Sequence, residues 1–420
     1  MSLLGYARFY AIDLMRGTKV LETIDELQSE QYKSCQELQS ISDEKYARLL
    51  KHTIKYVPFY NQYNSEEKFP ILTKDLIRHN VEQLKSLVYR GKLEAKSTGG
   101  STGLPLKYFT TTKAQSYMWA GIIHSWKVVG YELGDRVAFI AGTAIAKKNF
   151  KHDVFYSLMN IEIYSAFDLR EKAVHSYLKD IKKKKIKLIY GYPTAINIIA
   201  NYLNKNPEIR SPSLKGIVVT SEVLEEKHRL NIQKAFQVPV RNQYGCNEAA
   251  VSAFECEHGN VHLINTATKI DIDGEGNLLA SNLVNEGFVL INYTTGDKIK
   301  INQIDSCPCK RGYPIISDIL GRTVDIIVDQ EGKIFHSAFF SYLFRQDPLV
   351  EQFQIQYNED EIELHVKVIE ELPYQILYEK YINKVKEHLK FKKYSLYINE
   401  PFLLSSNAKH RYVIDKRLNK

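Results

Sequence analysis

Between residues 91 and 320 the chain alternates short β-rich runs with helical ones, and this rhythm limits the fold more than any other feature. The runs "RVAFIAG" (136–142), "KLIYGYP" (187–193), "GIVVTSE" (216–222) and "VPVRNQYG" (238–245) are the strand candidates. Helical stretches such as "LEEKHRLNIQKAF" separate them. Strands alternating with helices form a mostly parallel sheet covered on both faces. From about residue 260 strands and turns follow without long helices, which predicts a β-rich subdomain. After "ILGRTVD" (319–325) a small α+β unit begins. It holds hairpins at "DIIVDQEGKIF" and around Asn358-Glu359-Asp360, helices near 337–346 and 372–390, and a final strand and tail. Residues 1–90 read as mostly helical, with Thr73 capping one helix and Asp75 in its first turn.

A chain of 420 residues exceeds the roughly 250–300 at which single cores stop growing. The expectation is therefore an α/β protein of two parts. A large multi-layer N-terminal domain (1–320) would carry mostly parallel sheets and the β-rich subdomain, and a small α+β C-terminal domain (321–420) would follow.

Composition narrows the function classes. Hydrophobic content of 44% with 25% charged residues suits a globular protein, and no window of about 18 apolar residues predicts a membrane-spanning helix. The N-terminal stretch has no basic leader followed by an apolar run, and five cysteines are too few for a disulfide framework. A cytoplasmic location is expected. The net charge of +8 suits an anionic ligand without requiring one. The lysine run 182–185 closes a helical stretch, where cations complement the helix dipole and are ordinarily solvated. No basic patch is interleaved with stacking aromatics, so nucleic acid is not an expected partner. The sequence leaves monomer and homodimer both open.

The stretch "STGGSTG" (97–103) offers two chemistries. Gly99-Gly100-Ser101-Thr102-Gly103 matches the G-x-S-x-G elbow of hydrolases, which needs a strand before it and a helix after it. Here "LPLKYFTTT" follows, with Pro105 and β-branched residues that favour an extended chain, so the serine-hydrolase reading is disfavoured. No G-K-[ST] closes the loop and no G-x-G-x-x-G occurs. Free backbone N–H groups and hydroxyls still suit phosphates, and a plain small-residue turn is the competing reading.

Order along the chain adds weight. After the loop come "VVTSEVLEE" (218–226), "NQYGCNEA" (242–249), "INYTTGD" (291–297), "LGRTVD" (320–325) and "SSNAKHRYV" (405–413). This series resembles the adenylate-forming (acyl-CoA synthetase-like) superfamily, and within it the phenylacetate–CoA ligase-like group that includes capsule-biosynthesis proteins of the CapK type. "VPFYNQY" and "FPILTKDLIRHN" resemble that group's N-terminal signature.

The resemblance implies an acid–thiol type ligase that activates a carboxylic acid with ATP. The acyl-adenylate would then pass to coenzyme A, a carrier thiol, or a sugar-linked amine or hydroxyl in capsule or envelope polysaccharide synthesis. It places Thr98, Gly99, Gly100, Ser101, Thr102 and Gly103 on the β- and γ-phosphates. Tyr244, Gly245 and Asn247 fall on the nucleotide, with Tyr244 stacked on adenine. Glu248 would ligate Mg²⁺, Asp297 the ribose hydroxyls, and Arg322 the ribose or phosphate. Lys409 would bridge the carboxylate and the α-phosphate. Tyr190, Gly191, Tyr192 and Pro193 would line the acyl pocket. Two positions depart from the pattern: Leu104 where relatives often have lysine, and Val324, followed by Asp325, at the hinge of a mobile C-terminal domain. These departures keep open an alternative, a catalytically degenerate nucleotide-binding protein on the same fold.

A separate constellation lies in "ECEHGNVH" (255–262) and "CPC" (307–309). Cys256, Cys307 and Cys309 with either His258 or His262 make a thiolate–imidazole set at short paired spacings, which suits tetrahedral zinc.

Overall fold

The computed structural model describes residues 3–63, 65–66, 69–98, 106–141, 150–166, 168–222, 224, 226–274, 276–302, 307–321, 326–336, 340, 343–344, 347, 349–370, 372–403 and 413–417. By its internal contacts the chain divides into two compact units, Met1–Lys96 with Lys107–Gly321, and Ser97–Leu106 with Arg322–Lys420.

The first unit opens with helices α1 (Leu3–Arg16), α2 (Val20–Glu30), α3 (Cys35–Tyr56) and α4 (Lys74–His79). Local chemistry starts two of them. Ser34 and Glu37 form a reciprocal capping box on α3, and the Thr73 hydroxyl accepts from the Leu76 N–H at 3.2 Å on α4. Strands β1 (Leu93–Ser97) and β2 (Lys107–Thr111) pair as a separate two-stranded sheet and lead into helix α5 (Thr112–Lys127). A strand, not a helix, follows the glycine-rich loop, which removes the geometry a nucleophile elbow needs.

The expected alternation comes next: β3 (Val137–Ala141), α6 (Phe150–Leu158), β4 (Ile161–Ser165), α7 (Glu171–Lys183), β5 (Leu188–Gly191), α8 (Pro193–Lys205), β6 (Gly216–Thr220), α9 (Glu226–Phe236) and β7 (Val240–Cys246). The antiparallel strands β8 (Val251–Glu255), β9 (Val261–Leu263), β10 (Thr268–Ile272), β11 (Asn277–Asn282), β12 (Tyr293–Asn302) and β13 (Ile315–Gly321) follow. Among the described residues these strands form one eleven-stranded sheet, ordered β10-β11-β12-β13-β9-β8-β7-β6-β5-β3-β4.

Period-two burial sets its two faces. Val137, Phe139, Leu188 and Val218 pack with α1, α2, α5 and α6. Their neighbours Ala138, Ile140, Ile189, Ile217 and Val219 pack with α7, α8 and α9. Strands buried on both faces read as continuous apolar runs, and this is the physical origin of "RVAFIAG" and "GIVVT". Close packing also fixes one glycine: a Cβ on Gly191 would lie 2.2 Å from the Ile140 carbonyl oxygen.

The second unit contains the hairpin β14 (Ile326–Val328) and β15 (Ile334–His336), then β16 (Val350–Tyr357), β17 (Glu361–Val368), helix α10 (Tyr374–Lys386), β18 (Lys393–Ile398) and β19 (Val413–Asp415). The last four strands form one sheet, ordered β18-β17-β16-β19. Leu377, Tyr381, Ile382 and Val385 on α10 share a core with Phe353, Ile355, Leu364 and Val366 of the sheet. Most positions of the helix expected near 337–346 lie outside the described residues.

Candidate active site

Strand β7 is where the sheet changes character. It pairs parallel with β6 on one side and antiparallel with β8 on the other. Ligands of open α/β sheets bind beyond the carboxyl ends of the parallel strands. The carboxyl end of β7 carries Tyr244, Gly245 and Cys246, and a 3₁₀ turn, Asn247–Ala249, follows it. Ala250, at φ 53°, reverses the chain into β8 and leaves Glu248 buried beneath the turn.

Two carboxylates meet this strand end. The Tyr244 hydroxyl donates to Asp297 Oδ2 at 2.8 Å, although β8, β9 and β13 lie between β7 and β12 in the sheet order. The antiparallel part of the sheet therefore curls enough for β7 and β12 to face one another. Burial, and then the Asp297 charge, hold the Tyr244 phenol well above its ordinary value, so it remains a donor.

Glu248 receives neutral donors. The Tyr293 hydroxyl donates to Oε1 at 2.9 Å, and Asn282 Nδ2 donates to its main-chain carbonyl at 3.0 Å. The buried Cys246 thiol also bonds the Glu248 side chain; burial and then the Glu248 charge push its ionisation up, which keeps the proton on sulfur. The Tyr108 phenol is raised first by burial and then by the Glu248 charge.

Behind Tyr244, Gln243 Oε1 accepts from the Tyr190 hydroxyl at 2.8 Å and from Thr220 Oγ1 at 2.7 Å, which fixes the ends of β5, β6 and β7 together. A cavity of about 20 Å³ opens between α5 and this end of the sheet, bounded by Tyr117, Met118 and Ile122 on one side and by Gln243, Asn247 and Val251 on the other.

At the far end of the same strands lies the cysteine cluster. Cys256, His262, Cys307 and Cys309 are buried, and their ligand atoms all lie within 4.8 Å of one another. His258 sits exposed on the turn between β8 and β9, so of the two candidate histidines it is His262 that joins the thiols.

No family model matches the chain. Protein CapK of Staphylococcus aureus is 24% identical over 383 residues, covering 86% of this chain and 84% of that protein. A solved structure of 2-hydroxyisobutyryl-CoA ligase, in complex with 2-HIB-AMP and CoA in the thioesterification state, matches with a TM-score of 0.61 at 15% identity over 93% of each chain. The chain has the fold of this acyl-CoA ligase and is similar in sequence to CapK. The same ligase in the postadenylation state with R3-HIB-AMP gives a TM-score of 0.58 at 14% identity, again over 93% of each chain.

On that fold the sequence-predicted residues divide into three sets. Tyr244, Gly245, Asn247, Glu248 and Asp297 come together at the carboxyl end of β7 and the facing strand β12. Tyr190 reaches the same region through Gln243, whereas Gly191 packs on the Ile140 main chain and Pro193 opens α8. Tyr192 packs against the core on the α8 side. These four residues do not border the cavity beside α5. Thr98 pairs with Leu106 at the neck of the glycine loop, its N–H donating to the Leu106 carbonyl at 3.0 Å and its hydroxyl accepting from the Leu106 N–H at 3.1 Å. Gly99, Gly100, Ser101, Thr102, Gly103, Leu104, Arg322, Val324, Asp325 and Lys409 lie outside the described residues. Sequence reasoning passed over Tyr293, Cys246 and Gln243, which hold the site's polar groups. All three lie inside the quoted motifs, so their place in "INYTTGD" and "NQYGCNEA" was the available signal.

Proposed function

We propose that this chain activates a carboxylic acid with ATP, giving an acyl-adenylate and pyrophosphate, and then passes the acyl group to a thiol or to an amine or hydroxyl acceptor. The observation that carries this reading is the convergence of Tyr244, Asp297 and buried Glu248 at the carboxyl end of β7 in a chain with an acyl-CoA ligase fold. In support, the 2-hydroxyisobutyryl-CoA ligase of the same fold binds an acyl-AMP and CoA.

A carboxylate is a poor electrophile, and transfer of AMP to it creates a good leaving group. The ring of Tyr244 is read as the adenine platform and Asp297 as the acceptor for both ribose hydroxyls. Gly245 and Asn247 would flank the α-phosphate. Glu248 fits Mg²⁺, a hard ion that prefers carboxylate oxygen, and the ion would supply charge neutralisation on the phosphates. Thr98 to Gly103 would hold the β- and γ-phosphates, Arg322 the ribose or phosphate, and Lys409 the oxygens of the reacting carboxylate and α-phosphate. A mobile second domain would bring Lys409 to that step. The cavity between α5 and β7, at about 20 Å³, has room for about one water molecule, so an acyl group would enter there only by widening it. Tyr190 supports its wall through Gln243. The acceptor class would be CoA, an acyl carrier, or a sugar-linked group of an envelope polysaccharide, with the protein working in the cytoplasm.

The test is exchange of labelled pyrophosphate into ATP with a panel of carboxylic acids. Acid-dependent exchange supports the reading. ATP binding without exchange by any acid favours the degenerate nucleotide-binding protein, and absence of ATP binding removes the site altogether.

A further inference from the structure

We propose that Cys256, His262, Cys307 and Cys309 bind one zinc ion, a site separate from acid activation and placed at the opposite end of β8 and β9 from Glu248. The donor set selects the ion: three soft thiolates and one imidazole favour zinc over the hard, oxygen-seeking magnesium.

The distances fit tetrahedral coordination. With Zn–S of roughly 2.3 Å and Zn–N of about 2.0 Å, a tetrahedron has S···S edges near 3.8 Å and S···N edges of about 3.5 Å. Cys256 and Cys307 place their Sγ atoms 3.8 Å apart, and Cys309 Sγ lies 3.3 Å from His262 Nε2. All four side chains are buried, as a closed structural site requires.

The surroundings are built for charged sulfur. His262 Nδ1 donates to the Tyr313 carbonyl at 3.0 Å, which fixes the tautomer that aims a lone pair of Nε2 at the thiols. Asn260 Nδ2 donates to Cys307 Sγ at 3.1 Å. Main-chain N–H groups of His258 and Asn260 bond Cys256, and that of Cys309 bonds Cys307. Arg311 bonds Cys309. Three thiolates around Zn²⁺ leave a net charge of about −1, which the Arg311 guanidinium offsets. Cys256 and the Cys307–Cys309 pair also sit on tight turns of matching form. Gly259 (φ 83°) donates its N–H to the Cys256 carbonyl at 3.0 Å, and Lys310 (φ 63°) to the Cys307 carbonyl at 2.8 Å. Such turns point sulfur and neighbouring N–H groups to one centre.

The ion would join the β8–β9 turn to the segment that enters β13, across 51 residues of chain. It therefore braces the strands between β7, with Tyr244, and β12, with Asp297.

The full chain, purified without chelator and dialysed, should carry one zinc by elemental analysis, released in step with modification of its thiols by an organomercurial. Cys307→Ser and His262→Ala should lose most of the zinc, while His258→Ala should retain it. Should the first two variants fail to yield folded protein, wild type produced in cobalt medium should show the visible absorption of a tetrahedral cobalt–thiolate centre. Wild type lacking both zinc and any cobalt–thiolate absorption would overturn the proposal. So would an iron–sulfur chromophore in the purified protein, or loss of zinc in His258→Ala.

Discussion

The contact between Tyr244 and Asp297 separates two roles that one side chain can play. If the ring is the adenine platform, its loss should cost about 1–3 kcal/mol of stacking, or about 5- to 150-fold in ATP affinity. Tyr244→Ala should show that loss equally for ATP, AMP and adenosine. Tyr244→Phe removes only the hydroxyl that donates to Asp297 Oδ2 at 2.8 Å. The ring stays, and the freed carboxylate oxygen becomes available to a ribose hydroxyl. Affinity should then remain within about threefold of wild type, because one donor replaces another. Asp297→Ala removes the acceptor instead. A hydrogen bond to a charged group contributes about 1.5–3 kcal/mol, so this variant should lose about 10- to 150-fold for ATP, AMP and adenosine alike and little for inorganic triphosphate. Calorimetric titration of each variant, with its melting temperature measured alongside, decides the matter. If Tyr244→Phe falls as far as Tyr244→Ala, the hydroxyl is the binding group and the stacking account fails.

Other substitutions test the remaining roles. Glu248→Gln keeps an oxygen for the Tyr293 hydroxyl but removes the charge, so the Mg²⁺-dependent gain in ATP affinity should drop about tenfold, while metal-free adenosine binding stays unchanged in calorimetry. Lys409→Ala should slow pyrophosphate release by on the order of 10²–10³ and leave ATP affinity within about threefold, since a contact made mainly in the transition state affects rate more than binding. An unchanged rate of adenylation would remove the tail lysine from catalysis. His124, buried on α5, takes a hydrogen bond from Gln28 Nε2 at 2.9 Å, and burial followed by the Arg311 and Lys127 charges lowers its ionisation to about 3. Its stabilising contribution is complete above the ordinary value of about 6.5 and is lost as pH falls towards 3, at about 1.4 kcal/mol per pH unit in that window. Urea unfolding of His124→Gln between pH 7 and 5 should show a correspondingly shallower loss of stability, and parallel curves for the two proteins would contradict the assignment.

Much of the fold could be read because burial on both faces of a parallel sheet writes itself into consecutive residues. Val137 and Phe139 face one layer and Ala138 and Ile140 the other, so the strand has no polar position to interrupt the run. The order of short motifs picked out Tyr244, Glu248 and Asp297 as candidates, and the structure brings Tyr244 and Asp297 into contact. The donors to the Glu248 side chain were not legible, because Cys246 and Tyr293 come from β7 and β12 and meet only after the sheet curls. Spacing alone also could not choose between His258 and His262. The choice follows from strand geometry: His262 lies on β9, paired with Ile315, and faces inward, while His258 occupies the exposed turn. The acyl wall was sought at Tyr190–Pro193, where a tyrosine–proline turn stood out. The small cavity against α5 is a separate feature, bordered by Met118 and Ile122 of a helix that reads as ordinary core.

The central claim, that the acid is activated by bonding its oxygen to the α-phosphorus of ATP, has a direct isotopic test. An acid that supports pyrophosphate exchange is supplied with ¹⁸O in both carboxylate oxygens, together with ATP and a thiol acceptor, and the nucleotide and phosphate products are weighed by mass spectrometry. Attack of the carboxylate on the α-phosphorus, followed by cleavage at the acyl carbon, predicts one ¹⁸O in AMP and none in pyrophosphate. Label appearing in inorganic phosphate, with ADP as the nucleotide product, would mean an acyl-phosphate route and would contradict the account.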